Sequence, residues 1–270
     1  MPVDDWSAVE LDRALPEQPC VMGGNISAQS LLNAYRNGFY PLPTDDPDTA
    51  EENEVRYSDL VDSGNIRIMP TEHPLGPYAT RWWNPDSRPV IAPNEAHLSK
   101  TLRRLLRNTY DWTTTADTAF AQVVDACAAE RQPPWLTGSL KTALLELHEQ
   151  GWAHSVEVWS GAELIAGVFG IAFGSVFSID STFHTVNDAG KIAFADAQDR
   201  LSGNPGVLLD LQWPQHYLGS LGAHWKSRTE YLGTVGDIDA RVAFSTDRRP
   251  AARLAPAAVS VPRSKQSGKN

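Results

Sequence analysis

GWAHSVEVW, from Gly151 to Trp159, and ELIAGVFGIAFGSVF, from Glu163 to Phe177, are joined by a turn at Ser160-Gly161. The first stretch alternates. Ala153, Ser155, Glu157 and Trp159 point one way and His154, Val156 and Val158 the other, as a strand requires. The second is apolar on both faces. Together they read as a buried hairpin at the centre of a mixed sheet. Glycines at 167, 170 and 174 let another group approach the strand backbone closely.

Outward from this hairpin the pattern is α+β. Residues 1–20 read as a loosely attached leader. Ser27 caps a helix that runs through Leu31, Leu32 and Tyr35 to Gly38. TDDPDTAEENE, residues 44–54, carries six acids and a proline and reads as an exposed loop. Further on the spacing predicts a strand near Val90, helices over 95–107, 117–130, 138–150 and 188–202, and strands over 109–115 and 207–213. The division expected is a small N-terminal domain over 1–80 with an acidic loop insert, a larger domain over 81–242, and a disordered basic tail over 243–270.

Composition narrows the function. The chain has 270 residues, 41% of them apolar, and no apolar run near eighteen residues, so a membrane partner is not expected. The N-terminus lacks a basic-then-apolar signal pattern, which predicts a cytoplasmic protein. Cys20 and Cys127 stand too far apart to form a metal-spaced pair. The formal charge is −10, but Thr246–Asn270 holds six Lys/Arg against one Asp, a net of +5, leaving −15 for the rest. Such an acidic body does not suggest a general nucleic-acid binder, so any nucleic acid must be held by a local basic patch.

One such patch exists. In HLSKTLRRLLRN, His97–Asn108, the leucines at 98, 102, 105 and 106 form an apolar stripe, and Lys100, Arg103, Arg104 and Arg107 fall on the other side. A solvated helix face is one reading. No acid interleaves the four bases, however, and a phosphate backbone would explain why they are kept together.

A polar cluster follows the apolar strands. SIDSTFHTVNDAGK, Ser178–Lys191, holds Asp180, Ser181, His184, Asp188 and Lys191, and VLLDLQW, Val207–Trp213, puts Asp210 and Gln212 on one face of a strand. Asp210 is then either solvent-facing, or buried and hydrogen-bonded. No GxSxG elbow, P-loop or GxGxxG turn occurs, the glycine-spaced run being itself a strand, and the histidines are scattered. No metal or other cofactor is expected.

Taken in order, GGNIS and AYRNGFYP (23–27, 34–41), RWWNPDSRPV (81–90), HLSKTLRR (97–104), PWLTG (134–138), LHEQGWAHSVEVW (147–159), AGVFGIAFGSVF (166–177), DSTFH and AGK (180–184, 189–191), LLDLQ (208–212) and LGSLGA (218–223) resemble the leucyl/phenylalanyl-tRNA–protein transferase family. The resemblance implies a GNAT-related, acyltransferase-like mixed sheet with flanking helices beside a small N-terminal domain. The acyl group would lie against strand backbone. It implies transfer of leucine or phenylalanine, with methionine as a further apolar donor, from charged tRNA to the α-amine of an N-terminal Arg or Lys. This marks the acceptor for degradation. It also implies that Trp82, Trp83 and Trp135 receive the 3′ adenosine and that the Phe173–Phe177 region lines the aminoacyl pocket, both phenylalanines facing one way. Asp210 and Gln212 become the catalytic pair, Asp180 with Ser181 and Lys191 contacts substrate, and the helix bearing Lys100, Arg103, Arg104 and Arg107 holds tRNA. A monomer is expected.

The chain departs from the family pattern in places. Asp180 replaces the Glu of GESMF, Thr185 stands where the family has Arg, Asp188-Ala189-Gly190-Lys191 replaces NASK, Leu144 replaces a Tyr, and Tyr217 a His. These changes keep an aminoacyl-tRNA-dependent amide ligase acting on a small amine or peptide, and a non-catalytic tRNA-binding relative, as alternatives. An acetyl-CoA-dependent acyltransferase would need a pyrophosphate loop that the chain lacks. For the transferase, the ester is already activated, and a free α-amine with a pKa of about 7.7–8.0 needs no strong base, so alignment is the main task. Asp210 would orient or deprotonate the amine, directly or through Gln212, and Asp180 with Asp188 would favour a cationic acceptor.

Overall fold

The computed structural model describes residues 5–92, 95, 97–129, 134–204, 206–213 and 218–256, the side chains of 218 and 220 excepted. The first part holds β1 (Val21–Gly23), α1 (Ala28–Arg36), β2 (Tyr40–Pro43), α2 (Pro47–Asp62), β3 (Arg67–Met69) and β4 (Thr80–Trp83). Its strands form a sheet in the order β2-β4-β1-β3. Then come β5 (Ser87–Ile91), α3 (Lys100–Asn108), β6 (Thr113–Ala116), α4 (Phe120–Ala129), α5 (Gly138–Glu149), β7 (Ala153–Ser160), β8 (Glu163–Phe173), β9 (Val176–His184), α6 (Ala189–Leu201), β10 (Leu208–Asp210), β11 (His224–Ser227), α7 (Arg228–Thr234) and β12 (Arg249–Pro250). The second sheet runs β11-β5-β10-β9-β8-β7-β6-β12.

The architecture is α+β with mixed sheets, as the sequence predicts, and the buried hairpin is β7–β8 at the middle of the larger sheet. Phe169, Ile171 and Phe173 of β8 face one core, shared with α1, α4, α5 and the small sheet. Ile165, Val168 and Ala172 face the other, shared with α3 and α6. That two-sided burial is why the strand shows no alternation. The group that approaches its glycines is the protein itself. A Cβ at Gly170 would lie 1.9 Å from the Ser178 carbonyl oxygen, and one at Gly174 would lie 2.1 Å from that of Val235.

Three expectations are corrected. The acidic stretch is helical: Asp46 accepts a hydrogen bond from the Thr49 N–H, Pro47 opens α2, and Ala50, Asn53 and Tyr57 form its buried side. Acids are favoured in the first turn of a helix, where unpaired N–H groups gather, so this charge run stabilises a helix start. The leader is anchored, because Trp6 is buried with its ring 4.4 Å from Trp82 and 5.2 Å from Phe39. The basic tail packs as far as Pro256: β12 pairs with β6, Ala251 and Ala255 are buried, and Arg253 reaches Asp196 and Asp199. Residues 257–270 lie outside the described part. The change of sheet falls between Trp83 and Ser87, a few residues beyond position 80.

Candidate active site

β9 and β10 are parallel neighbours, and their register sets Asp210 beside Ser178. Asp210 is fully buried and hydrogen-bonded, the second of the two alternatives open to it. Its Oδ2 accepts from Arg88 Nη1 at 2.5 Å, Ser178 Oγ at 2.8 Å and Tyr231 Oη at 2.9 Å. Oδ1 accepts from the Gln212 N–H at 2.9 Å. Arg88 also donates to the Gly38 carbonyl, which ties the larger sheet to the turn between α1 and β2. Burial works against the guanidinium charge, and Asp210 more than restores it.

The chain turns sharply after Asp210. Gln212 has φ +57°, uncommon for a residue with a Cβ. The turn sends its amide to Ser178 Oγ (3.2 Å) and to Asp180 Oδ1 (2.7 Å).

Asp180 owes its position to a β-bulge. Along β8–β9, Phe169 pairs with Ser181 and Gly170 with Ile179, so Asp180 is the extra residue. A bulge re-aims the side chain it carries, and glycine at 170 leaves room for the shifted strand. Tyr35 Oη donates to Asp180 Oδ1 at 2.6 Å. Among the described residues Oδ2 has no donor. Burial pushes the Asp180 carboxyl up to about 7, against the opposing hydrogen bonds from Tyr35 and Gln212.

Asp180 lines a cavity of about 290 Å³ with Gln212, Trp83, Trp135, Trp213 and Tyr40. Trp83 and Trp213 meet edge to face with centroids 5.0 Å apart. Leu42, Pro41, Ile179 and Leu211 supply apolar wall. Such a chamber offers flat surfaces for a base, apolar surface for a side chain, and one carboxylate for an amine.

Among the residues expected in the site, Asp180, Gln212, Trp83 and Trp135 meet at this cavity, and Asp210 backs it from behind. Trp82 does not join them. Alternation along β4 puts it in the core, fully buried, with Nε1 donating to the Gly23 carbonyl. Phe173 and Phe177 do not share a face, because the turn at Gly174-Ser175 separates β8 from β9. Phe173 packs at 6.5 Å on Tyr35 and Phe177 at 5.1 Å on Phe244, in opposite cores, and neither belongs to the cavity wall. Ser181 is buried beside the bulge and does not line the cavity either. Lys191 pairs with Asp188 at 2.6 Å in a separate hollow with Thr182 and His184, so Asp188 does not join Asp180 in one acidic pocket.

In α3, Lys100 and Arg104 are exposed, but Arg107 Nη1 donates at 3.3 Å to the Ala255 and Pro256 carbonyls, and Arg103 sits in a hollow with Leu254 and Asp199. Only part of the cationic stripe therefore faces solvent unopposed. Sequence reasoning missed Tyr35, Tyr40, Arg88, Ser178, Trp213 and Tyr231. Arg88 alone left a local signal, as a charge in a strand otherwise running into Val90 and Ile91.

Comparison with known proteins follows the same lines. A family model described as leucyl/phenylalanyl-tRNA protein transferase matches residues 90–236. The leucyl/phenylalanyl-tRNA–protein transferase of Pseudomonas fluorescens (strain SBW25) is 37% identical over 218 residues, spanning 80% of this chain and 82% of the relative. That of Xylella fastidiosa (strain 9a5c) is 36% identical over 224 residues, spanning 82% and 79%.

Proposed function

The chain belongs to the leucyl/phenylalanyl-tRNA–protein transferase family, and we propose that it moves a leucyl, phenylalanyl or methionyl group from charged tRNA to the α-amine of an N-terminal Arg or Lys, marking that protein for degradation. It does so as a cytoplasmic monomer. The observation that carries the reading at the level of residues is the aromatic-walled cavity with Asp180 on it.

The 3′ adenosine lies among Trp83, Trp135 and Trp213, since every base offers a face to stack on an indole. The apolar side chain lies against Leu42, Ile179 and Leu211. The acceptor amine comes to Asp180 Oδ2, because Tyr35 and Gln212 both donate to Oδ1. With its carboxyl near 7, Asp180 takes the proton that the amine sheds on attack. Asp210 already accepts four hydrogen bonds and faces Arg88. Its part is to hold the Gln212 turn and the Ser178 hydroxyl in register. Gln212 has no basicity at neutral pH and positions Asp180.

The test is incubation with leucyl- or phenylalanyl-tRNA and a peptide beginning with Arg, read as a mass gain of one residue. A peptide left unextended while free amines of other kinds are acylated would point to the amide-ligase alternative.

A further inference from the structure

Tyr40 carries a hydroxyl that the fold buries and does not use. The residue is 4% exposed and lines the cavity, and among the described residues its Oη has no hydrogen-bond partner. The other phenols nearby are engaged: Tyr35 donates to Asp180 and Tyr231 to Asp210. The β2–β4 register sets Tyr40 directly opposite Trp83, whose Nε1 likewise has no hydrogen-bond partner among the described residues. Beneath the Tyr40 ring, 5.3 Å from its centroid, lies the Arg88 guanidinium. A buried hydroxyl without a partner destabilises the fold, a cost that phenylalanine in the same place would avoid. A group kept at that cost calls for an acceptor supplied from outside the chain.

We propose that Tyr40 Oη donates a hydrogen bond to the carbonyl oxygen of the aminoacyl ester, and so to the oxyanion formed when the acceptor amine attacks. The inference rests on the transferase reading above. The amine nitrogen bonds to the ester carbon, the carbonyl π pair moves onto oxygen, and Tyr40 holds that charge. Collapse then expels the ribose 3′-oxygen, which takes up the proton released by the amine through Asp180. Two features suit Tyr40 to this task. Asp180 draws the nucleophile, so the cavity needs a donor for the opposite pole of the reaction. Arg88 behind the ring is paired with Asp210, but of the two charges it acts more strongly on the phenol and leaves a net positive potential where the negative charge develops. Burial raises the phenol's pKa, so it remains a donor through the neutral range.

Tyr40→Phe separates this role from packing. A structural hydroxyl predicts a neutral or more stable and fully active variant. An oxyanion donor predicts a kcat lower by roughly 100-fold or more, with the KM for both substrates unchanged. The Kd of a leucyl group amide-linked to 3′-amino-3′-deoxyadenosine, which cannot react, should also be unchanged, and the Tm equal or higher. 3-Fluorotyrosine at position 40 keeps ring and hydroxyl, should hold kcat near wild type, and examines the same group if the Phe variant does not fold. Equal kcat in wild type and Tyr40→Phe, a loss confined to KM, or a fluorotyrosine loss as deep as that of phenylalanine would each overturn the proposal. An inert wild type would overturn the transferase reading itself and this inference with it.

Discussion

Arg88 and Asp210 face each other across neighbouring strands with Nη1 and Oδ2 2.5 Å apart, and their side chains are 2% and 0% exposed. Removing one partner of such a pair leaves an uncompensated buried charge. Asp210→Asn is therefore expected to lose about 3–5 kcal/mol of stability as well as activity. Denaturant unfolding of Asp210→Asn and Arg88→Met beside kcat checks this. An Asp210→Asn protein of wild-type stability and low kcat would instead make Asp210 a participant in proton transfer.

Asp180 should shape the pH profile. With its carboxyl near 7, the carboxylate fraction, and with it kcat, rises as pH climbs through that value. Asp180→Asn should lower kcat by about 100-fold and flatten this limb. The stability sign follows from the same shift. The folded pKa lies above the unfolded 3.8, so the stabilising protonated form is fully present below pH 4 and lost as pH rises through about 7. Asp180→Asn should therefore gain more in Tm at pH 8 than at pH 5, and a uniform gain would contradict the raised pKa.

Trp213 and Trp135 should act on the donor. Each Trp→Ala change is expected to weaken binding of the aminoacyl-adenosine end by about 1–3 kcal/mol. Trp82→Ala should chiefly destabilise the fold, since that indole is in the core. Titration with a leucyl-adenosine analogue, together with thermal melts, distinguishes the three.

On α3, Lys100→Glu with Arg104→Glu should weaken tRNA binding and reduce the slope of log K against log salt by about one per lost phosphate contact, with Tm unchanged. Arg107→Glu should also lower Tm, because Arg107 donates to the Ala255 and Pro256 carbonyls. Unchanged affinity of the Lys100/Arg104 variant at moderate salt would remove this face from the tRNA surface.

Arg253 should anchor the described part of the C-terminal segment. Arg253 reaches Asp196, which is fully buried, and Asp199, so Arg253→Ala is expected to cost about 1–3 kcal/mol. Thermal melts of Arg253→Ala beside wild type check this, and an unchanged Tm would show that these contacts do not hold the segment in place.

The sequence by itself determined the central hairpin, most of the helices and the family. The β7–β8 hairpin, the Ser27 cap and the leucine stripe of α3 depend on residues a few positions apart, and local periodicity and capping record such relations. Acids at 46 and 48 hid α2 because the same charges suit a solvated loop and a helix start. Tertiary structure alone decided which residues meet. The sequence ties Trp82 and Trp83 to opposite faces of β4 but not to the core or the cavity. It shows Asp180 and Gln212 as polar residues but not the bulge and the left-handed turn that bring them within 2.7 Å. Phe173 and Phe177 look like one face of one strand until the turn at Gly174 parts them. In a sheet each one-residue shift exchanges inside for outside. The register that sets it comes from pairing between distant segments, such as β9 with β10 or β2 with β4, and local periodicity carries no record of that pairing.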